Sequence, residues 1–166
     1  MDEEKSHEKW EGKITAQIKG SKAQEVWPLV EDFCGLHKYL PSVDTCHQMD
    51  RTVTGVQPGM IRYCASTITS PSGETTIKWA KEKLIEIDPI QRRLSYEIME
   101  NNVGFKYWVA TMQVFQINGD GEGGCEIKWS FVGDPADGWS YDGLVSYYDS
   151  SLQSIAKKME DALSSN

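Results

Sequence analysis

The sequence predicts one α+β domain, in which a seven-stranded antiparallel sheet curls and a long C-terminal helix lies against its concave face. Two observations carry this reading. Strand-like runs follow one another with only short turn signals between them, which favours antiparallel pairing of neighbours. After the last run, from about Gly138, the pattern changes to a helical stripe of Leu144, Tyr148, Leu152, Ile155, Met159 and Ala162. A sheet of seven strands twists, and the helix must bury that stripe against it. The chain has 166 residues, enough for one domain with a sizeable core.

Residues 1–8 read as a disordered tail and residues 9–166 as the domain. Trp10, Gly12, Ile14, Ala16 and Ile18 alternate with polar residues, as in a half-buried strand. In "SKAQEVWPLVEDF", Ala23, Val26, Trp27, Val30 and Phe33 recur at helical spacing, and Ser21 with Gln24 fits a capping box. "CGLHKYL" reads as a second short helix stopped by Pro41. The remaining strands are expected near 43–49, 60–69, 75–88, 93–100, 106–117 and 125–132. The turn signals "QPG", "SPSG", "DPIQ", "NNVG" and "NGDGEGG" separate them. Leu94, Tyr96 and Ile98 define one strand face. Phe105, Tyr107, Val109 and Thr111 define another, and Cys125, Ile127, Trp129 and Phe131 a third.

Charge and composition narrow the function classes. The net charge is −8, from 25 acidic and 17 basic residues, with no basic cluster. Phosphate backbones and anionic membrane surfaces would repel such a chain, so neither nucleic-acid binding nor membrane insertion is expected. The start, "MDEEKSHEKW", lacks the basic region and apolar run of a signal peptide, and no apolar run approaches membrane-spanning length. Cys34, Cys46, Cys64 and Cys125 form no CxxC pair. A cytoplasmic protein with reduced thiols is the expectation. His7, His37 and His47 are scattered away from metal-ligand spacing, so no metal and no cofactor is expected. The glycine-rich "NGDGEGG" lacks the lysine and hydroxyl residue of a phosphate-binding loop and reads as a hairpin connection. Six tryptophans and seven tyrosines suit a core, and some can line an apolar pocket.

Two charged residues stand out. In "IKWAKEKL", Ile77, Trp79, Leu84 and Ile85 suit a buried strand, yet Lys81, Glu82 and Lys83 interrupt them. Alternation puts Glu82 opposite its flanking lysines and on one face with Lys78, Ala80 and Leu84. In "GMIRYCAS", Arg62 shares a face with Met60, Cys64 and Ser66. A hairpin around "SPSG" can bring Arg62 and Glu82 together, and an arginine inside a sheet needs such a partner. From the pattern alone, two exposed surface charges remain an equal reading.

"FCGLHKYLPSV", "GMIRYC", "WAKEKL" and "YWVATMQ" resemble the lachrymatory-factor-synthase-like proteins of plants. The likeness runs from about Trp10 to the C-terminus, in the same order and spacing. These proteins belong to the START-like, polyketide-cyclase and birch-allergen superfamily. The resemblance implies a helix-grip fold, with a cavity between the curved sheet and the long helix that two short helices close. It also implies that Arg62 and Glu82 stand where the onion enzyme has its catalytic arginine and glutamate, so that Glu82 faces the cavity. A pocket tyrosine of that enzyme matches Tyr96. A second one aligns with Trp108, a departure that removes a phenolic hydroxyl and with it the inference of the same substrate. Trp129 and Leu40 are expected to line the same cavity. Abscisic-acid receptors share the superfamily fold, but their gate-loop motifs are missing here, with "SPSGE" and "NNVGF" near those places.

Two functions follow from the resemblance. The first is binding or transport of a small hydrophobic ligand with a polar head. The second is an isomerase that moves a proton through Glu82 with Arg62 holding a developing oxyanion. A ligand-gated interaction protein is a third class. The sequence names neither ligand nor protein partner.

Overall fold

The computed structural model describes residues 8–117 and 123–164. The expected tail therefore lies outside the described residues except for Glu8, as does the tip of the glycine-rich loop. The chain forms β1 (Trp10–Ile18), α1 (Ala23–Glu31), a 3-10 helix (Phe33–Lys38) and β2 (Thr45–Gln48). It continues through β3 (Ile61–Thr69), β4 (Thr75–Asp88), β5 (Arg93–Asn101), β6 (Trp108–Gln116) and β7 (Cys125–Gly133). It closes with α2 (Tyr141–Ser164).

All seven strands join one antiparallel sheet in the order β1-β7-β6-β5-β4-β3-β2. Strands β2 to β7 are a run of hairpins, as the short turn signals imply. Only β1 departs from chain order. It pairs with β7 along its whole length, from Trp10 opposite Gly133 to Ile18 opposite Cys125. α1 and the 3-10 helix carry the chain from that edge to the other, across the concave face. Two register shifts interrupt the β4–β5 pairing, between Ala80 and Glu82 and between Leu84 and Glu86. Such bulges bend a strand and increase its twist, and here they curl the sheet beside the pair singled out in the sequence. This is the helix-grip arrangement.

α2 packs against β1, β7 and α1. It buries Leu144, Tyr148, Ser151, Leu152, Ile155, Ala156 and Met159, which is the expected stripe with Ala162 half-buried at its end. Each fully buried Leu or Ile there contributes about 1.5–3 kcal/mol relative to exposure. No helix among the described residues is long and apolar enough to cross a membrane.

The local expectations need four corrections. α1 is not capped by Ser21 with Gln24. Glu25 reaches back to the Lys22 N–H at 2.8 Å, so the reciprocal carboxylate sits one residue later. The second short helix is a 3-10 helix ending at Lys38, with the Tyr39 N–H on the Leu36 carbonyl at 3.0 Å. On β6, Trp108, Ala110, Met112 and Val114 are buried, not the expected face of Tyr107, Val109 and Thr111. Both faces of that strand carry apolar residues, so alternation alone does not choose between them. Val109 and Thr111 instead line a shallow outer groove of about 490 Å³ with Glu11, Lys13 and Val132. Finally, Ile77 and Ile85 are exposed on β4, at 51% and 40%. The buried face of that strand is the one that carries Glu82.

Candidate ligand site

The site begins with a turn. Ser70-Pro71-Ser72-Gly73 closes the β3–β4 hairpin through Gly73 N–H to the Ser70 carbonyl at 2.9 Å and Ser70 N–H to the Glu74 carbonyl at 2.7 Å. Gly73 has φ +92°, a conformation that glycine adopts without steric cost. This turn sets the register in which Arg62 lies directly opposite Glu82.

The two side chains form a salt bridge pointing inward. Arg62 Nε donates to Glu82 Oε1 at 2.7 Å, and Nη2 forms an ion pair with the same oxygen at 2.7 Å. The side chains are 6% and 13% exposed respectively. Arg62 Nη1 donates to the Phe33 carbonyl at 2.6 Å. The guanidinium carbon also sits 4.0 Å from the Phe33 ring centre and 4.7 Å from that of Tyr96. Burial is the largest influence on Arg62 and opposes its charge, but the Glu82 carboxylate together with Cys64, Tyr96 and Cys46 outweighs it and holds the arginine more firmly protonated than usual. On the outer face, Lys81 pairs with Glu100 at 3.0 Å and Tyr63 stacks on Trp79. Alternation thus separates Glu82 from its lysine neighbours.

From Arg62 an aromatic chain runs inward. Tyr96 Oη accepts the Trp129 indole N–H at 3.1 Å. Trp129 meets Tyr148 edge-on, with ring centres 4.5 Å apart. Tyr148 Oη accepts the Trp108 indole N–H at 2.9 Å. Phe131 stacks on both Trp108 and Tyr148. Burial, and then the Glu82 carboxylate, push the Tyr96 hydroxyl well above the ordinary tyrosine range. Burial raises Tyr148 in the same direction.

Arg62, Tyr96 and Trp129 share the wall of an internal cavity. Leu94 and Met112 complete its sheet side, Ile155 and Met159 its α2 side, and Leu29 and Val30 come from α1. Phe33, Leu36 and Tyr39, from the 3-10 segment, form its roof. The enclosed space is about 20 Å³. A water needs roughly 10–15 Å³ of such space, so an organic ligand does not fit without displacing the roof.

The structure therefore brings four of the six sequence-selected residues together. Glu82 touches the cavity only through Arg62. Trp108 is fully buried behind Phe131 and Tyr148, and Leu40 is buried in the core, so neither lies on the wall. Sequence reasoning missed Phe33, whose carbonyl holds Arg62. A carbonyl has no sequence signature, although Phe33 itself was visible at helical spacing. Leu36 and Tyr39 were overlooked as roof residues. Their short helix marked them as a lid, but its 3-10 geometry decides which side chains face inward.

Comparison with known proteins gives a consistent picture. The sequence model of the family described as polyketide cyclase / dehydrase and lipid transport matches residues 10–161. Among solved structures, XoxI from Bacillus cereus superposes with a TM-score of 0.70 at 20% identity, covering 92% of this chain and 94% of that one. A putative uncharacterized protein from Bacillus thuringiensis gives 0.69 at 18% identity, covering 90% and 98%. At such identities these two share the fold with this chain.

Proposed function

The chain belongs to the polyketide cyclase/dehydrase and lipid transport family, and on that premise we propose that it binds a small hydrophobic ligand whose polar head meets Arg62. One observation carries the proposal. A buried guanidinium, already neutralised by Glu82, stands on the wall of a cavity that is otherwise apolar and aromatic except for Asp32 at the end of α1. Arginine has five N–H donors. Nε–H and one Nη1–H are donated to Glu82 and Phe33, and Nη2 lies against the same carboxylate, which leaves terminal N–H groups for an oxygen of the ligand. Because the ion pair is neutral overall, the site suits an uncharged acceptor such as a carbonyl or hydroxyl oxygen. Apolar walls from both the sheet and α2 take the body of the molecule. The ligand enters by lifting the 3-10 roof, and that motion breaks the bond from Arg62 to the Phe33 carbonyl.

Native mass spectrometry tests this on protein purified under non-denaturing conditions from cells that make it. A retained apolar molecule of discrete added mass supports the proposal. A protein that carries no added mass, and that gains none when offered fatty alcohols, aldehydes or terpenoids, refutes it.

A second reading is an isomerase of the lachrymatory-factor-synthase-like kind. The placement of a carboxylate directly against the cavity arginine favours it. Glu82 would accept and return a proton while Arg62 steadies the developing oxyanion. Conversion of a small alkenyl sulfenic acid, lost in Glu82→Gln, would establish this activity. Binding without conversion would leave the ligand-carrier reading alone.

A further inference from the structure

Beside the ligand site lies a pair of thiols that the proposed function does not use. Cys46 on β2 and Cys64 on β3 are directly opposite in register. Their sulfurs are 3.3 Å apart, and both residues are buried, at 9% and 8% exposure. The kind of pairing matters. The Met49 N–H donates to the Ile61 carbonyl at 2.8 Å, so Met49 and Ile61 form a hydrogen-bonded pair. Antiparallel pairs alternate, which makes Cys46 and Cys64 a non-hydrogen-bonded pair. Such pairs hold their Cα atoms about 4.5 Å apart, inside the range a disulfide spans.

We propose that Cys46 and Cys64 are an oxidative modification site, a dithiol that a hydroperoxide closes to an intramolecular disulfide. The other two thiols lack this arrangement. Cys34 Sγ meets the Met60 thioether at 3.9 Å, and Cys125 is buried at the far end of β7, opposite Ile18 and Gln116.

The surroundings divide the roles. Either sulfur can donate to the other; with Cys64 as the donor the bond stabilises a Cys46 thiolate, and the Arg62 charge and His37 of the 3-10 helix act in the same direction. Cys46 is therefore the thiol that ionises more readily than an ordinary cysteine, despite its burial. Cys64, which supplies that hydrogen bond and is buried, resists ionisation. The Cys46 thiolate attacks one peroxide oxygen, the O–O bond breaks, and hydroxide leaves. This yields a sulfenic acid on Cys46. The negative charge that opposed Cys64 is then gone. Cys64 sulfur attacks Cys46 sulfur, the S–O bond breaks, and the Cys64 proton departs with the sulfenic oxygen as water. The hydroxide takes up the proton that Cys46 gave up on ionising. For hydrogen peroxide, two thiols and one peroxide become one disulfide and two waters.

The experiment treats the reduced, folded protein with hydrogen peroxide, blocks free thiols under denaturing conditions, and maps peptides by mass spectrometry. The expected product is a monomer two hydrogens lighter, with the peptides holding Cys46 and Cys64 linked, and dithiothreitol restores the original mass. Cys64→Ser should stop at a sulfenic acid on Cys46 that dimedone traps, while Cys34→Ser and Cys125→Ser should still form the link. Three results overturn the proposal. The folded protein keeps all four thiols at a peroxide dose that oxidises the unfolded chain, the linked pair includes Cys34 or Cys125, or the link joins two chains. The mapping on the unsubstituted protein decides the matter even where a variant fails to fold.

Discussion

Arg62 and Glu82 depend on each other more than on anything else nearby. Glu82→Gln keeps the shape but leaves a buried guanidinium without its counter-ion. Arg62→Met keeps much of the apolar stem but strands Glu82, and frees the Phe33 carbonyl as well. Because Glu82 is partly exposed, each single change is expected to cost about 1–3 kcal/mol rather than the larger cost of a fully dry pair. The double variant should lose less than the sum of the two. A double-mutant cycle from denaturant melts measures this coupling, and two independent losses that simply add would show that the pair is not energetically linked. The buried tyrosines give a second residue-scale expectation. Tyr96 and Tyr148 ionise with more difficulty when folded than the ordinary value of 10.0. The folded state thus binds their protons more tightly than the unfolded state does. Their contribution is therefore intact below pH 10 and is lost as pH rises above it. Thermal melts should hold steady on the neutral side of pH 10 and fall beyond it. In an absorbance titration, two of the seven tyrosines should ionise only as the protein unfolds. Ionisation of all seven in the native state would contradict their burial.

At the scale of elements, α2 and the 3-10 roof make opposite demands. α2 is a fixed wall. Leu152 is fully buried on it, whereas the Lys157 side chain is 70% exposed and pairs with Asp161 one turn on, at 3.4 Å. Leu152→Asp buries an unpaired charge and should cost upwards of about 3 kcal/mol. Lys157→Asp loses one exposed pair and adds a like-charge neighbour, at roughly 0.5 kcal/mol. Comparable melting temperatures for the two would mean that the helix face is misassigned. On the proposed function the roof has to move to admit a ligand, because the space beneath it holds about one water. Hydrogen exchange with and without a bound fatty alcohol should therefore change most over Phe33–Tyr39, while β5, β6 and β7 change little. Uniform protection across the sheet, with no change in the roof, would point to a different way in.

Over the whole molecule, the order of β2 to β7 was legible because the turn chemistry between those strands is explicit, whereas the pairing of β1 with β7 has no turn to announce it. Gly-, Pro- and Asn-containing turns bound every hairpin, and the observed strand ends fall within about two residues of those expected. The "SPSG" turn made a meeting of Arg62 and Glu82 possible to foresee, but from the pattern alone two exposed charges were an equal reading, and only the resemblance pointed the pair inward. The inward face of β6 was not legible, because Tyr107, Val109, Thr111 and Trp108, Ala110, Met112 are both plausible buried sets. Nor was the roof contact from Arg62 to the Phe33 carbonyl, which is a backbone acceptor placed by tertiary packing. Cavity size was out of reach as well, since it depends on how closely Phe33, Leu36 and Tyr39 settle on Met112 and Ile155. The central claim, that an apolar molecule sits under this roof with its polar end on Arg62, is tested most directly by fluorescence titration. An environment-sensitive apolar dye is bound to the unsubstituted protein and to Arg62→Met, then displaced by a fatty alcohol. The account predicts saturable binding near one-to-one in the unsubstituted protein. It predicts an alcohol affinity about 10-fold or more weaker in the variant, the loss of one hydrogen bond to a charged group. Absence of saturable binding to the folded protein, or equal alcohol affinity in both proteins, would contradict it.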